Sequence, residues 1–498
     1  MATELAKADK NATFGVELNG INVIAEDERK GRPADLFWPW CAANISVLGI
    51  SYGSFLLGFG ISFWQATIAG VIGTILSFLL VGYVSLAGKR GSAPTMILSR
   101  AAYGVTGGKL PAALSYILLV GWETVLVSLA TLATATVFDR LGWGGGNTTK
   151  IVAFLVVAAI VVLAGIFGFN LIMRLQTVLT IALAVLTVGY VALTFQDIHF
   201  DKVAALPNGP WQAVLGALIF AATGFGLGWV NAGGDYSRYL PRNASSRGVV
   251  WWTTFGASLA PVILVIIGLL LAGSDPKLSQ AIGGDPVGAL TTLLPTWYLI
   301  PFAIVAIGGL IAGAVLDIYS SGLALLTLGL KVPRWTAAGI DGVIMIIGTI
   351  YVVFFASNFI GPFEGFLITL GVPIAAWCGV FLADLLTRRR DYADAELYSS
   401  HGRYGSVDLV AVGTTVVATV IGWGLVTNTL SSALAWQGFL LEPLGLGPKV
   451  NGPWSFANLG VLVALVLGFA AQFAFGRARV RRQEAAASQT ASAAGATP

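Results

Sequence analysis

Two acids, Glu123 and Asp317, stand in the middle of long apolar runs, and their type and position make them the first candidates for chemistry in this chain. An ionisable side chain at bilayer depth costs roughly 2.5–3.5 kcal/mol or more, so an acid retained there is expected to have a task. Desolvation favours the neutral carboxyl, which can then take up and release a proton during a working cycle. The structural alternative is that either acid is a neutral hydrogen-bond partner between two helices. Glu123 lies fourteen residues after Lys109, and Asp317 lies fourteen before Lys331. At about 1.5 Å of helical rise per residue, both sit roughly 21 Å from the level of those lysines, at matching depth. Trp122 immediately precedes Glu123. Neighbours on a helix point about 100° apart, so the pair could share a cavity only at its edges. An aromatic plate beside a carboxylate nevertheless suits a planar heterocycle bearing N–H groups, because a carboxylate accepts two parallel hydrogen bonds. Packing alone is the alternative for Trp122.

The elements that hold these residues follow from composition. Of 498 residues 56% are apolar and 10% charged, which excludes an ordinary soluble enzyme and specifies a polytopic membrane protein. Twelve runs are long enough to cross the hydrocarbon core: 36–60, 63–87, 110–138, 150–168, 175–195, 211–233, 249–272, 297–328, 338–356, 362–386, 407–427 and 455–475. Basic residues mark one side of the bilayer. Arg29, Lys30 and Arg32 precede the first run; Lys89, Arg90, Arg100 and Lys109 follow the second; Arg238, Arg242 and Arg247 follow the sixth. Lys331 and Arg334 follow the eighth, Arg388, Arg389 and Arg390 the tenth, and Arg477, Arg479, Arg481 and Arg482 the last. Both termini are therefore expected in the cytoplasm of a cell whose inner or plasma membrane holds the protein, with no signal peptide removed. The net charge of +4 is expected to meet anionic lipid headgroups rather than nucleic acid. Cys41 and Cys378 fall inside predicted spans, and His199 and His401 in loops on opposite faces, so neither a disulfide framework, a metal site nor a cofactor is expected.

Glycine divides the chain further. Residues 49–60 carry four glycines with Ser51 and Ser54 among them, and residues 223–234 are denser still. Each glycine costs a helix roughly 1 kcal/mol relative to alanine, so such clusters mark either close helix packing or a broken helix. Two clusters five spans apart favour breaks, since transporters with inverted repeats interrupt the first helix of each half to expose backbone groups at a midplane site. The expected organisation is a cytoplasmic segment 1–35, a five-helix repeat 36–195, a second repeat 211–386, peripheral helices 407–475 and a disordered tail 476–498. The breaks at Ser51–Ser54 and at 225–229 would bind a small polar ligand, with Tyr52, Phe225 and Trp229 as flat apolar faces.

The chain also resembles the nucleobase–cation symporters, specifically their purine–cytosine permease branch. The resemblance is carried by Gly121-Trp122, by the run 234–239 (Gly-Asp-Tyr-Ser-Arg-Tyr), by the run 319–323 (Tyr-Ser-Ser-Gly-Leu), and by Asn358-Phe359 with Phe366, Pro373, Ala383-Asp384 and the three arginines 388–390. It implies an all-α, LeuT-like fold of twelve helices with a five-plus-five inverted repeat. It also implies import of bases such as cytosine, adenine, guanine and hypoxanthine, or of allantoin and hydantoins. Trp122 would stack on the base, the sixth helix at Phe225, Gly226, Gly228 and Trp229 would clasp it, and Asn358 would join the site.

Three departures qualify that picture. Ala312 and Gly313 stand where sodium-coupled relatives carry hydroxyls, and Leu119 replaces a glutamine of the cytosine-type pattern. Together with the two acids this favours a proton, carried by Glu123 or Asp317, over sodium, and suggests that Glu123 reads the edge of the base. The reading is a monomeric proton-coupled importer of a heterocycle working by alternating access. An allantoin, hydantoin or amino-acid symporter on the same frame, a membrane enzyme and a channel are the alternatives.

Overall fold

The computed structural model describes residues 17, 19–355, 360–428, 432–447 and 452–494. Its helices in chain order are α1 (Phe37–Asn44), α2 (Leu48–Leu57), α3 (Phe63–Gly91), α4 (Thr95–Tyr103), α5 (Lys109–Arg140), α6 (Gly146–Phe167), α7 (Phe169–Thr194) and α8 (Phe200–Ala204). There follow α9 (Trp211–Gly224), α10 (Gly226–Trp229), α11 (Gly233–Ser237), α12 (Ser246–Ser274), α13 (Pro276–Gly284), α14 (Gly288–Thr291), α15 (Leu299–Thr327) and α16 (Arg334–Phe354). The last four are α17 (Ile360–Thr387), α18 (Leu409–Gly424), α19 (Leu459–Ala471) and α20 (Arg477–Ala494). Their ends obey local chemistry. Ser62 and Gln65 form a reciprocal capping box at the start of α3, and the Asp408 carboxylate accepts the Ala411 N–H at the start of α18.

Ten helical spans among the described residues are long and apolar enough to cross a membrane, and the bent pair α1–α2 makes an eleventh. The stretch expected as 407–427 yields α18, of 16 residues. At about 1.5 Å per residue that is roughly 24 Å, short of a hydrocarbon core of about 30 Å. The tail expected to be disordered continues as α20 to Ala494, in keeping with its alanine, glutamine and arginine content.

Packing reveals two halves related by exchange. α3 packs on α12, α5 on α15 and α6 on α16, each helix meeting its own counterpart. Cross-contacts come in reciprocal pairs: α2 lies on α12 as α9 lies on α3, α5 touches α16 as α15 touches α6, and α15 touches α7 as α5 touches α17. Such reciprocity is what a two-fold relation between spans one to five and six to ten requires. α18 and α19 pack beside α17, outside that core.

The first-helix glycines serve this packing. A Cβ on Gly53 would stand 2.3 Å from the Leu269 nitrogen, and one on Gly268 would stand 1.9 Å from the Ile50 oxygen, so α2 and α12 meet backbone to backbone. Gly268→Val is therefore expected to force the two helices apart at a cost of at least roughly 1–3 kcal/mol. A lowered melting midpoint of the purified protein in detergent would show it, and an unchanged midpoint would contradict the contact.

The basic loops are gathered at one end of the bundle, yet they are engaged with protein more than the lipid expectation implied. Arg29 donates to the carbonyls of Lys89 (2.7 Å) and Leu240 (2.9 Å), and Arg242 pairs with Asp394 at 2.6 Å. Arg388 pairs with Asp384 at 2.5 Å, and Arg479 with Asp408 at 2.8 Å. Arg238 and Arg334 both face Glu17, at 3.5 and 3.4 Å. Guanidinium groups with several donors satisfy the exposed carbonyls of helix ends, which explains their use here as ties between loops.

Candidate functional site

The first helix breaks at residues 45–47 with a 66° bend, rather than at Ser51–Ser54. The cause lies in two polar side chains. Asn44 Nδ2 donates to the Trp40 carbonyl (2.7 Å), competing with the helical ladder, and Ser46 Oγ accepts the Leu48 N–H (3.3 Å) in a local turn just before the next helix. Ser51 and Ser54 lie beyond this break and point away from it. Ser51 Oγ donates to Pro286 O at 2.7 Å, and Ser54 Oγ contacts Ser279 O at 3.1 Å and Ser279 Oγ at 2.8 Å, so the two hydroxyls hold α13 and the turn that follows it.

The sixth span breaks where the glycine run predicts. Phe225 adopts φ −106°, ψ −100°, and the freed Gly226 N–H donates to Ser77 Oγ at 3.0 Å. A Cβ on Gly226 would stand 2.2 Å from the Ser77 backbone carbon, so Gly226 serves the approach to α3 and does not line the site.

Between the two breaks lies a small cavity of about 50 Å³, walled by Asn44, Ser46 and Tyr52 from the first span, Phe225 and Trp229 from the sixth, and Trp122 from α5. Trp122 is 8% exposed and its Nε1 has no hydrogen-bond partner. Its indole is set by edge contacts with Phe363 (5.5 Å, 76°) and Phe366 (6.4 Å, 80°). The neighbouring glycines explain the motif. A Cβ on Gly121 would stand 2.1 Å from the Phe366 ring, and one on Gly228 would stand 3.0 Å from Trp122 Nε1. Tyr52 and Phe225 stack at 4.5 Å with a 37° tilt, and Trp229 meets Trp40 edge-on at 5.7 Å. Asn358 lies outside the described residues.

Glu123 does not face this cavity. The 100° between neighbours turns it the other way, into the α5–α15–α16 interface, where it is fully buried and its Oε1 accepts the Ser321 hydroxyl at 2.6 Å. A role for Glu123 in reading the edge of a ligand held on Trp122 is therefore not supported by its position. Asp317, 1% exposed, belongs to the same interface, one helical turn before Ser321, and neither of its oxygens has a partner.

Sequence reasoning missed a third acid, Asp341 of α16, which is fully buried and hydrogen-bonded to Ser321 from the other side. Its place near the start of a span resembled an interfacial residue, and its one signal was a carboxylate without a basic neighbour. Among the described residues no Lys, Arg or His forms an ion pair with any of the three acids. Among those same described residues no group of three His, Cys, Asp or Glu converges closely enough to hold a metal ion. Asp235, by contrast, is structural: it accepts the Thr95 N–H (2.7 Å) and hydroxyl (2.8 Å) at the start of α4.

Residues 23–442 match the family described as permeases for cytosine/purines, uracil, thiamine and allantoin. The chain belongs to that family. Over 410 residues the permease is 26% identical to the Bacillus subtilis protein named "Putative purine-cytosine permease YxlA", covering 79% of this chain and 85% of that one. It is 21% identical over 491 residues to purine-cytosine permease FCY22 of Saccharomyces cerevisiae, covering 92% and 88%. A structure of Mhp1, a nucleobase-cation-symport-1 family transporter in a closed conformation with bromovinylhydantoin bound, matches with a TM-score of 0.69 at 19% identity. That match spans 93% of the permease and 99% of Mhp1, a likeness of fold. The permease is thus a multi-pass membrane transporter and not an enzyme.

Proposed function

We propose that the permease imports a nucleobase, cytosine or a purine, together with protons, by alternating access. The observation that carries this reading is Trp122, an indole face set between two broken helices in a cavity walled by aromatic rings. Base–aromatic stacking is worth about 1–3 kcal/mol, and Asn44 and Ser46 at the first break place polar side chains in the same wall. The names of the yeast and Bacillus relatives support the same substrate class.

Proton coupling is supported by the three buried acids and by the surface α15 turns to the first break. There Gly309 approaches the Ile45 carbonyl and Gly313 the Ala43 carbonyl, so no side-chain oxygen joins those carbonyls from positions 309 and 313. A desolvated sodium ion needs several oxygens, and at these positions only backbone could provide them. Reciprocal contacts among α5, α6, α15 and α16 support a frame against which the broken helices rock. Both repeats lie in one chain, which is consistent with a functional monomer, and the basic loops suit a cytoplasmic face bearing both termini.

A second reading has its own support: the Mhp1 structure holds a hydantoin, so allantoin- or hydantoin-type rings are alternative cargo on this frame. Uptake of labelled cytosine into proteoliposomes, driven by an inward proton gradient or by sodium, separates the possibilities. Purines, uracil, allantoin, hydantoin and amino acids serve as competitors. Proton-driven accumulation blocked by purines is expected. Accumulation with sodium alone would refute the coupling, and competition by hydantoin but not by bases would refute the substrate class.

A further inference from the structure

Ser321 of α15 stands between two carboxyl groups. Its Oγ is 2.6 Å from Glu123 Oε1 and is also within hydrogen-bond reach of Asp341 Oδ2. A hydroxyl carries a single hydrogen, whereas an ionised carboxylate only accepts. Ser321 can therefore donate to one of the two, and the other contact is a hydrogen bond only when that carboxyl is protonated and donates to the serine oxygen. The three-residue bridge thus closes with one proton more than two carboxylates and a serine possess.

A second observation points to the same place. Asp317, one turn before Ser321 on the same face of α15, is buried with both oxygens unpartnered, and Glu123 Oε2 and Asp341 Oδ1 are unpartnered as well. Apart from the Tyr116 hydroxyl beside Asp341, these four buried carboxyl oxygens have no donor, so the site is short of hydrogens, and burying them all charged is prohibitive.

Among the described residues the surroundings offer no compensating cation. From α5 the other ionisable group near the cluster is Tyr116, two turns before Glu123, and its hydroxyl donates toward Asp341. α11 brings Tyr236, whose hydroxyl is spent on Leu316 O at 2.7 Å and lies 3.2 Å from Ser320 Oγ. On α16, Arg334 is committed to the carbonyls of Gly165 and Ile166, both at 2.7 Å, and to Glu17. On α4, Arg100 is committed to the carbonyls of Thr327 and Leu397, both at 3.2 Å, and Tyr103 bonds Thr415. From α1 comes Cys41, a buried free thiol. α6 and α7 contribute Lys150, Arg174 and Tyr190, and neither cation pairs with the acids; α7 also holds Gln176 against Ala312 O at 2.8 Å.

We propose that Glu123, Ser321, Asp341 and Asp317 form one proton-binding unit spanning α5, α15 and α16, in which Asp341 and Ser321 are required alongside the two acids legible in the sequence. Proton transfer within it balances without an outside reactant. Ser321 gives its hydrogen to the Glu123 carboxylate and receives that of protonated Asp341, so one O–H bond breaks and one forms at each step while the serine is unchanged. The unit adjoins the cavity through the single peptide joining Trp122 to Glu123, which is how a ring on one face of α5 could feel a proton on the other. As the coupling element of transport, the unit rests on the proton-symport reading; as a proton site, it does not.

Two measurements on the full-length protein keep those apart. Infrared absorption of the purified protein in detergent reports protonated carboxyl groups whatever the cargo. The wild type is expected to show such a band at neutral pH, sensitive to hydrogen–deuterium exchange, that shrinks or shifts in Glu123→Gln, Asp341→Asn and Ser321→Ala and is restored in Ser321→Thr. A wild type without the band, or variants that leave it unchanged, would overturn the unit. In proteoliposomes, Asp341→Asn and Ser321→Ala are expected to keep cytosine counterflow while losing at least tenfold of proton-driven accumulation. Wild-type accumulation in Asp341→Asn would overturn its part in coupling. If instead the infrared result holds while the wild type is driven by sodium alone, the proton site stands and the symport reading falls.

Discussion

Replacing Trp122 by alanine is expected to weaken cytosine binding by roughly 5- to 150-fold, the equivalent of about 1–3 kcal/mol of lost stacking at 1.4 kcal/mol per tenfold. The indole is the one large ring that α5 contributes to the cavity wall, and its orientation is set by Phe363 and Phe366 rather than by any hydrogen bond of its own. Removing it leaves the neighbouring rings without the surface they pack on and the ligand without a plate. Trp122→Phe, which keeps a face but loses area and the free Nε1 donor, should fall between the wild type and the alanine variant. The concentration dependence of initial uptake, normalised to protein in the membrane, measures the effect. A half-saturation concentration within twofold of the wild type would remove Trp122 from the site.

The second large effect is expected from Asp317→Asn. The amide has nearly the same shape as the acid but cannot gain and lose a proton, so exchange of cytosine across the membrane should survive while uphill accumulation fails. One pH unit is worth about 1.36 kcal/mol, which allows up to roughly tenfold accumulation per proton at zero membrane potential. Asp317→Asn should hold the internal concentration near the external one under the same gradient. Because both oxygens of Asp317 are buried without partners, the substitution breaks no hydrogen bond seen in the structure, and the variant should remain folded. Accumulation equal to that of the wild type would exclude Asp317 as a proton carrier.

Trp122 and Glu123 show how far linear reasoning reaches. Their adjacency suggested one shared site, and the helical repeat contained the correction: residues 100° apart look at different neighbours. Which neighbours those are, the aromatic cavity for one and Ser321 for the other, depends on α17 and α15 being brought onto α5 from more than a hundred residues away. The two acids were legible because a place inside an apolar run is a local quantity, counted in residues from Lys109 and Lys331. Asp341 was hidden for the converse reason. It lies seven residues into α16, and only the packing of α16 on α5 and α15 carries it into the cluster.

The glycine clusters divide along the same line. Composition alone determined the membrane class, most of the spans, the basic end of the bundle and the existence of two interrupted helices five spans apart. Apolar run length and charge placement answer to the bilayer, a solvent that acts on each segment separately. Tertiary structure decided what each glycine is for. Gly53 and Gly268 bring α2 and α12 into backbone contact, Gly226 lets the sixth span reach α3, and Gly121 and Gly228 make room around Trp122. The first break itself belongs to Asn44 and Ser46. A glycine records only that a side chain is absent, and what fills the space is chosen by a partner helix distant in sequence, so the position of a site is settled by packing between the halves and not by either half alone.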